Sequence, residues 1–275
     1  MLATLGDLVE DVVVYLSGPV NHASDTQARI MRRRGGSAAN VAQAAAAQGH
    51  AVRFLGQVGS DAIGAALIDA LERAGVDVEW VRRGGRTGTI IVLVDEHGER
   101  SMLPDRGACL ELSDPERAWL EGVSTLHIPF YSFSDPPLAD TAVTLIGWAH
   151  ELGIRVSIDV SSVALIDEIG PDRVLARLEA LRPAVVFANG DEASALDITG
   201  PVAGAVTVVK HGAEPVEVFT GSQRLMVAVP PIAHVADTTG AGDAFAAGYL
   251  SAFDAEIQTA VIAGCRAAAA LFRTR

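Results

Sequence analysis

The sequence predicts an α/β fold in which a largely parallel sheet carries helices on both faces. Three observations predict it. Short β-branched runs alternate with Ala- and Leu-rich runs of helical length along the chain. Several of the strand-like runs, such as Val185-Val186-Phe187-Ala188 and Val206-Thr207-Val208-Val209, lack an in/out alternation of apolar and charged residues, the pattern of strands buried on both faces. Hydrophobic residues make up 49% of the 275 residues and charged ones 20%, enough for one large core. No internal repeat or long linker divides the chain, which reads as a single domain over residues 1–275.

Residues 1–8 predict a first strand with Gly6-Asp7 at its end, and residues 12–16 a second, broken by Gly18-Pro19. Residues 27–34 form another short strand. Gly35-Gly36 opens an Ala-rich helix over 37–48, with Ser37 as N-cap and Gly49 as stop. A strand over 52–56 leads to a helix over 62–74, which starts beside Asp61 and ends at Gly75; a short strand follows over 76–81. Runs 89–95 and 99–103 flank the turn Glu96-His97-Gly98 as a hairpin. These short strands fall between βα units, so they predict a small accessory sheet projecting from the main fold. Thereafter strands are expected at 125–128, 155–159, 185–188 and 206–209, and helices at 138–152, 171–180 and from 192 to 196. A hairpin around Gly221-Ser222 and two long helices, 242–252 and 257–272, close the chain.

The formal net charge of -13 and the lack of a long basic run argue against a nucleic-acid partner. Arg32-Arg33-Arg34 is the one basic cluster; it reads as a solvated strand end, an electrostatic aid to an anionic substrate, or a partner contact. Two distant cysteines, Cys109 and Cys265, have no metal or disulfide spacing and suit a reducing compartment. No signal-type segment and no run of about 18 apolar residues is present, so the expectation is a cytoplasmic protein without a membrane partner.

Chemistry concentrates in Asp237-Thr238-Thr239-Gly240-Ala241-Gly242-Asp243-Ala244-Phe245. Glycines before a helix let backbone amides approach an anion, and the helix start favours negative charge. Asp243 in such a place is either a carboxylate attracted by the helix dipole or a base that takes a proton from a hydroxyl attacking phosphorus. The two glycines favour the second reading, because an ordinary cap needs neither.

This segment, together with Gly35-Gly36-Ser37-Ala38-Ala39-Asn40, Gly56-Gln57-Val58-Gly59-Ser60-Asp61-Ala62-Ile63-Gly64 and Asn189-Gly190-Asp191-Glu192, resembles the ribokinase-like (PfkB-type) family of carbohydrate and nucleoside kinases in content, order and spacing. The resemblance implies a three-layer α/β/α sandwich with a small β-sheet lid built from discontinuous segments, about 11–34 and 86–104. It implies ATP-dependent phosphorylation of a hydroxymethyl group on a sugar or related metabolite. Asp243 would be the base, with the backbone of Gly240, Ala241, Gly242 and Asp243 as the anion hole.

By the same resemblance Asp11, Gly35, Gly36 and Asn40 bind the sugar. Arg106, which follows the accessory strands, either reaches the substrate or a phosphate or has a surface role. Asn189, Lys210, Gly212 and Thr239 lie on the nucleotide, and Glu192 organises Mg²⁺ through water. Asp237 and Thr239 supply a monovalent cation site for K⁺. The lid also implies a homodimer. Three departures from the family pattern stand out: Pro215 replaces a common glycine, Asp159-Val160-Ser161-Ser162 lacks the Asn and Arg of sugar-acid kinases, and the sequence ends at Arg275 soon after the last helix, which either weakens the expectation for nucleotide affinity or marks a shortened form. Two other readings are a nucleoside kinase and a sugar- or nucleotide-binding sensor without turnover. A dinucleotide-dependent dehydrogenase is disfavoured, because no Gly-x-Gly-x-x-Gly follows the first strand.

Overall fold

A computed structural model of the chain describes residues 1–231 and 238–273. The first half of the chain runs β1 (Leu2–Leu5), β2 (Val9–Leu16), β3 (Ala28–Gly35), α1 (Ser37–Ala47), β4 (Val52–Leu55), β5 (Gln57–Val58), α2 (Ala62–Arg73), β6 (Arg82–Arg83), β7 (Thr87–Val94) and β8 (Arg100–Gly107). The second half runs β9 (Thr125–Pro129), α3 (Leu138–Glu151), β10 (Arg155–Asp159), α4 (Val163–Ile169), α5 (Pro171–Leu181), β11 (Val185–Asn189), α6 (Gly190–Ala195), β12 (Val206–Lys210), β13 (Val216–Thr220), β14 (Gln223–Val227), α7 (Ala241–Ser251) and α8 (Ile257–Arg273).

The main sheet has eight strands in the order β14-β13-β12-β11-β10-β9-β1-β4. Strands β12 through β4 pair in parallel, and β13 and β14 close one edge as an antiparallel hairpin. The apolar strand runs explain the layering. In β11, Val185 and Phe187 belong to the buried cluster that includes residues of α1, α2, α7 and α8, whereas Val186 and Ala188 belong to the cluster on the other face that includes residues of α3, α4 and α5. Each fully buried side chain of this size contributes roughly 1.5–3 kcal/mol. Helices α7 and α8 touch through small residues: a Cβ at Gly248 would sit 2.5 Å from the carbonyl oxygen of Ala263.

A second sheet of four strands, β3-β2-β7-β8, stands apart from the first. Its hairpins β2–β3 and β7–β8 are antiparallel, and β2 joins β7 in parallel. Asp61 ties this sheet to the body. Its carboxylate accepts from the Gly64 amide (2.8 Å), the Thr87 amide (2.8 Å) and the Thr87 hydroxyl (2.6 Å), so one side chain caps α2 and fixes the start of β7. The Thr87 hydroxyl and amide bonds hold its carboxyl down at about 2.

Two local expectations are corrected, and one helix is added. Residues 76–81 do not form a strand; a single bridge joins Arg53 to Asp77, and the short pairing falls later, between β5 and β6. Ser37 does not cap α1. The cap position is Gly36 at φ 101°, where a Cβ would overlap the Asp7 carbonyl, and the Ser37 hydroxyl is spent elsewhere. Helix α4 was not expected, because seven residues offer too short a window for a helical period.

Candidate active site

The carboxyl ends of the parallel strands converge where ligands settle in open α/β sheets. Strand β10 ends at Asp159, and β11 and β12 end side by side, with Asn189 registered against Lys210. The start of α7 faces these ends from one side and α1 flanks it. Gly240, in the left-handed region at φ 77°, turns the chain into α7, and among the described residues no side chain caps this helix. The Ala241 amide donates to the Thr238 carbonyl at 3.0 Å.

Asp243 lies in the first turn of α7 and is held by two donors from α1. The Ser37 hydroxyl donates to Oδ1 at 2.6 Å and Asn40 Nδ2 donates to Oδ2 at 2.8 Å. Burial pushes the Asp243 carboxyl above the usual range; the two hydrogen bonds and Lys210 oppose that rise, and Asp159 adds to it. The result is a fixed carboxylate with raised proton affinity.

Lys210 closes the floor of the site. Its ammonium donates to Asp159 Oδ2 at 2.8 Å, and a Cβ placed on Gly242 would stand only 3.3 Å from Nζ. Burial works to lower the Lys210 pKa, but the carboxylates of Asp159, Glu192 and Asp243 carry it upward, so the cation persists. Glu192 is buried behind this pair. Its side chain accepts from the Asn189 amide (2.8 Å) and from Asn189 Nδ2 (2.8 Å), while Asn189 Oδ1 accepts from the Glu192 amide (2.9 Å). This reciprocal capping box starts α6. Burial first, then the neighbouring Asp159, pushes Glu192 up to about 7.

Asp11 stands on β2 at the opposite side of the site, packed so tightly on Gly35 that any side chain at 35 would overlap its carboxylate. Burial raises its pKa, against the pull of Arg33 and Arg34. Asp11, Gly35, Gly36, Asn40 and Asp243 therefore share one region, as do Asn189, Glu192, Lys210 and Gly242. Gly212 lies in the turn after β12 at φ 67°. The Thr239 hydroxyl accepts from Arg100, and Asp237 lies outside the described residues.

Arg106 is engaged within the protein. Its guanidinium grips Asp7 through Nε (2.7 Å) and Nη2 (2.8 Å), while Nη1 reaches the Tyr131 carbonyl (3.0 Å) and the Ser134 hydroxyl (2.7 Å). With each nitrogen engaged, it straps the end of β8 to the loops after β1 and β9. Asp159 and Ser37 were not singled out as site residues, and Arg34 was read only as part of the cluster Arg32-Arg33-Arg34. Asp159 was findable, since it ends a strand read as parallel; the other two needed three-dimensional contacts.

An uncapped glycine-rich helix start beside a buried lysine, with an oriented carboxylate of raised proton affinity, is the equipment of a phosphoryl-transfer enzyme acting on small hydroxylic acceptors. Comparison with known proteins agrees. The model of the pfkB family carbohydrate kinases matches residues 1–275, and the chain belongs to that family. It is 33% identical over 255 residues to an ATP-dependent ribose-1-phosphate kinase of Halopiger xanaduensis, covering 86% of this chain and 81% of that protein. It is 30% identical over 269 residues to a fructokinase of Escherichia coli, covering 90% and 82%. Among solved structures, adenosine kinase from Sinorhizobium meliloti superposes with a TM-score of 0.85 at 24% identity, covering 99% of this chain and 93% of that one. A sugar kinase from Pyrococcus horikoshii in complex with ATP gives 0.85 at 20% identity, covering 100% and 93%. The chain is a carbohydrate kinase with the ribokinase-like fold.

Proposed function

We propose that the protein transfers the γ-phosphoryl group of ATP to a hydroxymethyl group of a sugar, with Asp243 as general base. The observation that carries this reading is the double anchoring of Asp243 by Ser37 and Asn40 at the start of α7. Two donors fix both carboxylate oxygens, and burial raises the affinity for the proton that the acceptor hydroxyl must lose. The amides of Gly242 and Asp243, which follow the committed amide of Ala241, and the Lys210 ammonium supply positive potential for the transferring group. The second sheet serves as a lid: Asp11 and Gly35 at its base contact the sugar, and closure excludes water from ATP. Release of ADP across a panel containing ribose, fructose, ribose 1-phosphate and adenosine tests this reading. Tight sugar binding without any ADP release favours the sensor reading instead.

Mg²⁺ fits the other end of the site by the chemistry of its donors. Glu192 and Asp159 are hard oxygen groups whose negative charges press on each other, which one divalent cation offsets. Among the described residues no group of three or more His, Cys, Asp or Glu forms a ligand cage, so water and nucleotide phosphates would complete the shell. When bound, Mg²⁺ neutralises phosphate charge. K⁺ binding at Asp237 and Thr239 is the corresponding proposal for a monovalent cation.

The Glu192 value fixes a pH dependence. Protonated Glu192 cannot serve a cation, so apparent affinity for Mg²⁺ at fixed ATP should rise as pH increases through about 7, and Glu192→Gln should flatten that rise. The sign for stability is opposite. The folded-state pKa exceeds the ordinary 4.5, so the contribution of this proton is full below 4.5 and is lost as pH climbs through about 7. Mg²⁺ titrations of initial rate between pH 6 and 8 check the first effect.

The protein acts in the cytoplasm as a homodimer joined through the second sheet. One face of that sheet carries Val12, Val14, Ile30, Ile91 and Leu103, with Ile30 60%, Ile91 41% and Leu103 53% exposed. A contiguous apolar face of this kind marks an interaction surface, and self-association about a two-fold axis covers it in both copies. Sedimentation velocity should give the mass of two chains for the wild type and of one chain for Ile91→Asp.

A further inference from the structure

The three consecutive arginines of β3 do not share one environment. Arg32 is exposed and pairs with Glu10 across the strand at 2.9 Å. Arg34, two residues further on, turns inward. Its Nη2 donates to the side-chain oxygen of Gln43, while its Nη1 is buried with no hydrogen-bond partner among the described residues. Gln43 stands one helical turn along α1 from Asn40, which anchors Asp243, and Gly35 beside Arg34 packs on Asp11. Asp243 and Asp11 are the charges that act on the Arg34 guanidinium, and burial outweighs both, lowering its pKa to about 10.

A buried charged donor left unpaired is costly, and a guanidinium N–H makes a charge-assisted bond to a phosphate oxygen. Lys210 and the α7 amides already serve the transferring phosphoryl group at the far side of Asp243. Arg34 instead immediately precedes Gly35, which packs on Asp11 of the neighbouring strand, and this places it on the acceptor side. Its neighbour Asp243 also loses its charge on taking the acceptor proton, which removes one of the two carboxylates that balance Arg34. A second anion, supplied with the acceptor, restores that balance.

We propose that Arg34, held in place by Gln43, reads a phosphate monoester on the acceptor, so that the preferred substrate is a sugar phosphate and the product a sugar bisphosphate. This inference rests on the kinase reading above and adds the acceptor class. In the transfer, the acceptor hydroxyl oxygen bonds to the γ-phosphorus, the bond from that phosphorus to the β,γ-bridging oxygen breaks, ADP leaves with the electron pair, and the hydroxyl proton passes to Asp243. The acceptor phosphate takes no part in bond changes.

The test compares ribose 1-phosphate with ribose, and fructose 6-phosphate with fructose, by initial rates of ADP release and by calorimetric titration of acceptor without nucleotide. For the wild type, at least one phosphate should exceed its free sugar by roughly 10- to 100-fold in kcat/KM, the value of one charge-assisted bond. In Arg34→Met that ratio should collapse toward one, chiefly through KM, and calorimetric binding of the phosphate should weaken by a similar factor. Arg34→Lys, which keeps the charge without the fork, should recover part of the preference. Equal use of phosphorylated and free sugars by the wild type overturns the proposal and leaves the kinase reading intact. So does an Arg34→Met variant that slows all acceptors alike through kcat, because Arg34 would then serve the reacting phosphoryl group. If no acceptor turns over, the kinase reading fails separately, and calorimetry still decides whether Arg34 binds phosphate.

Discussion

Asp243→Asn lowers kcat by roughly 10²-fold or more while leaving the protein as stable as the wild type at neutral pH. The two halves of this expectation come from one environment. Asp243 is buried at the start of α7, and its carboxyl oxygens accept from Ser37 at 2.6 Å and Asn40 at 2.8 Å. Asn keeps the shape and one acceptor but cannot take a proton. Burial raises the Asp243 pKa above its ordinary value, so folding works against the carboxylate charge, and removing that charge should not cost stability. A merely structural Asp243, bound to two donors, would lose stability on substitution without a selective loss of turnover. Steady-state kcat beside urea unfolding at pH 7.5 or thereabouts separates the cases.

Lys210→Met should destabilise the protein by about 3–5 kcal/mol, the range for breaking a buried ion pair from one side. Lys210 and Asp159 are 2.8 Å apart with side chains 15% and 11% exposed, and Glu192 and Asp243 add their fields to the same ammonium. The variant leaves those carboxylates without their cation. The Lys210 pKa is raised, so the pair is intact at neutral pH and its contribution is lost only as pH rises through that raised value. The penalty of the variant should shrink on moving from pH 8 to pH 6, because Glu192, already at about 7 in the wild type, then carries a proton instead of a buried charge. Urea unfolding of both proteins at the two pH values measures this. A loss under about 1 kcal/mol at both would show that solvent screens the pair.

Much of the architecture was legible because its signals are local. Doubly apolar runs at 185–188 and 206–209 announced buried parallel strands, and the glycines around residues 35 and 240 announced turns that bring backbone to a ligand. Asp243, Asn40 and Asp11 were read from motif position, and the structure brings all three to one region. What escaped depended on partners remote in sequence. Ser37 has the chemistry of a cap, but its hydroxyl meets Asp243, 206 residues away. Lys210 was read as a phosphate ligand alone, whereas Asp159, 51 residues away, holds it. Asn189 and Glu192 carry both a local capping box and the place of a metal site, and sequence spacing alone does not separate the two. In Arg32-Arg33-Arg34 the sequence offers three equal cations; only the inward turn at the end of β3, onto Gln43, distinguishes the last.

The central claim is that Asp243 takes the proton of a sugar hydroxyl as ATP is consumed. Chemical quench under single-turnover conditions, with enzyme in excess over the best acceptor and the phosphorylated product identified by mass spectrometry, tests it most directly. The wild type should form ADP and phosphorylated sugar in equal amounts in one fast phase, and Asp243→Asn should form the same product roughly 10²-fold or more slowly with sugar binding retained. Product formation at the wild-type rate by Asp243→Asn would contradict the account.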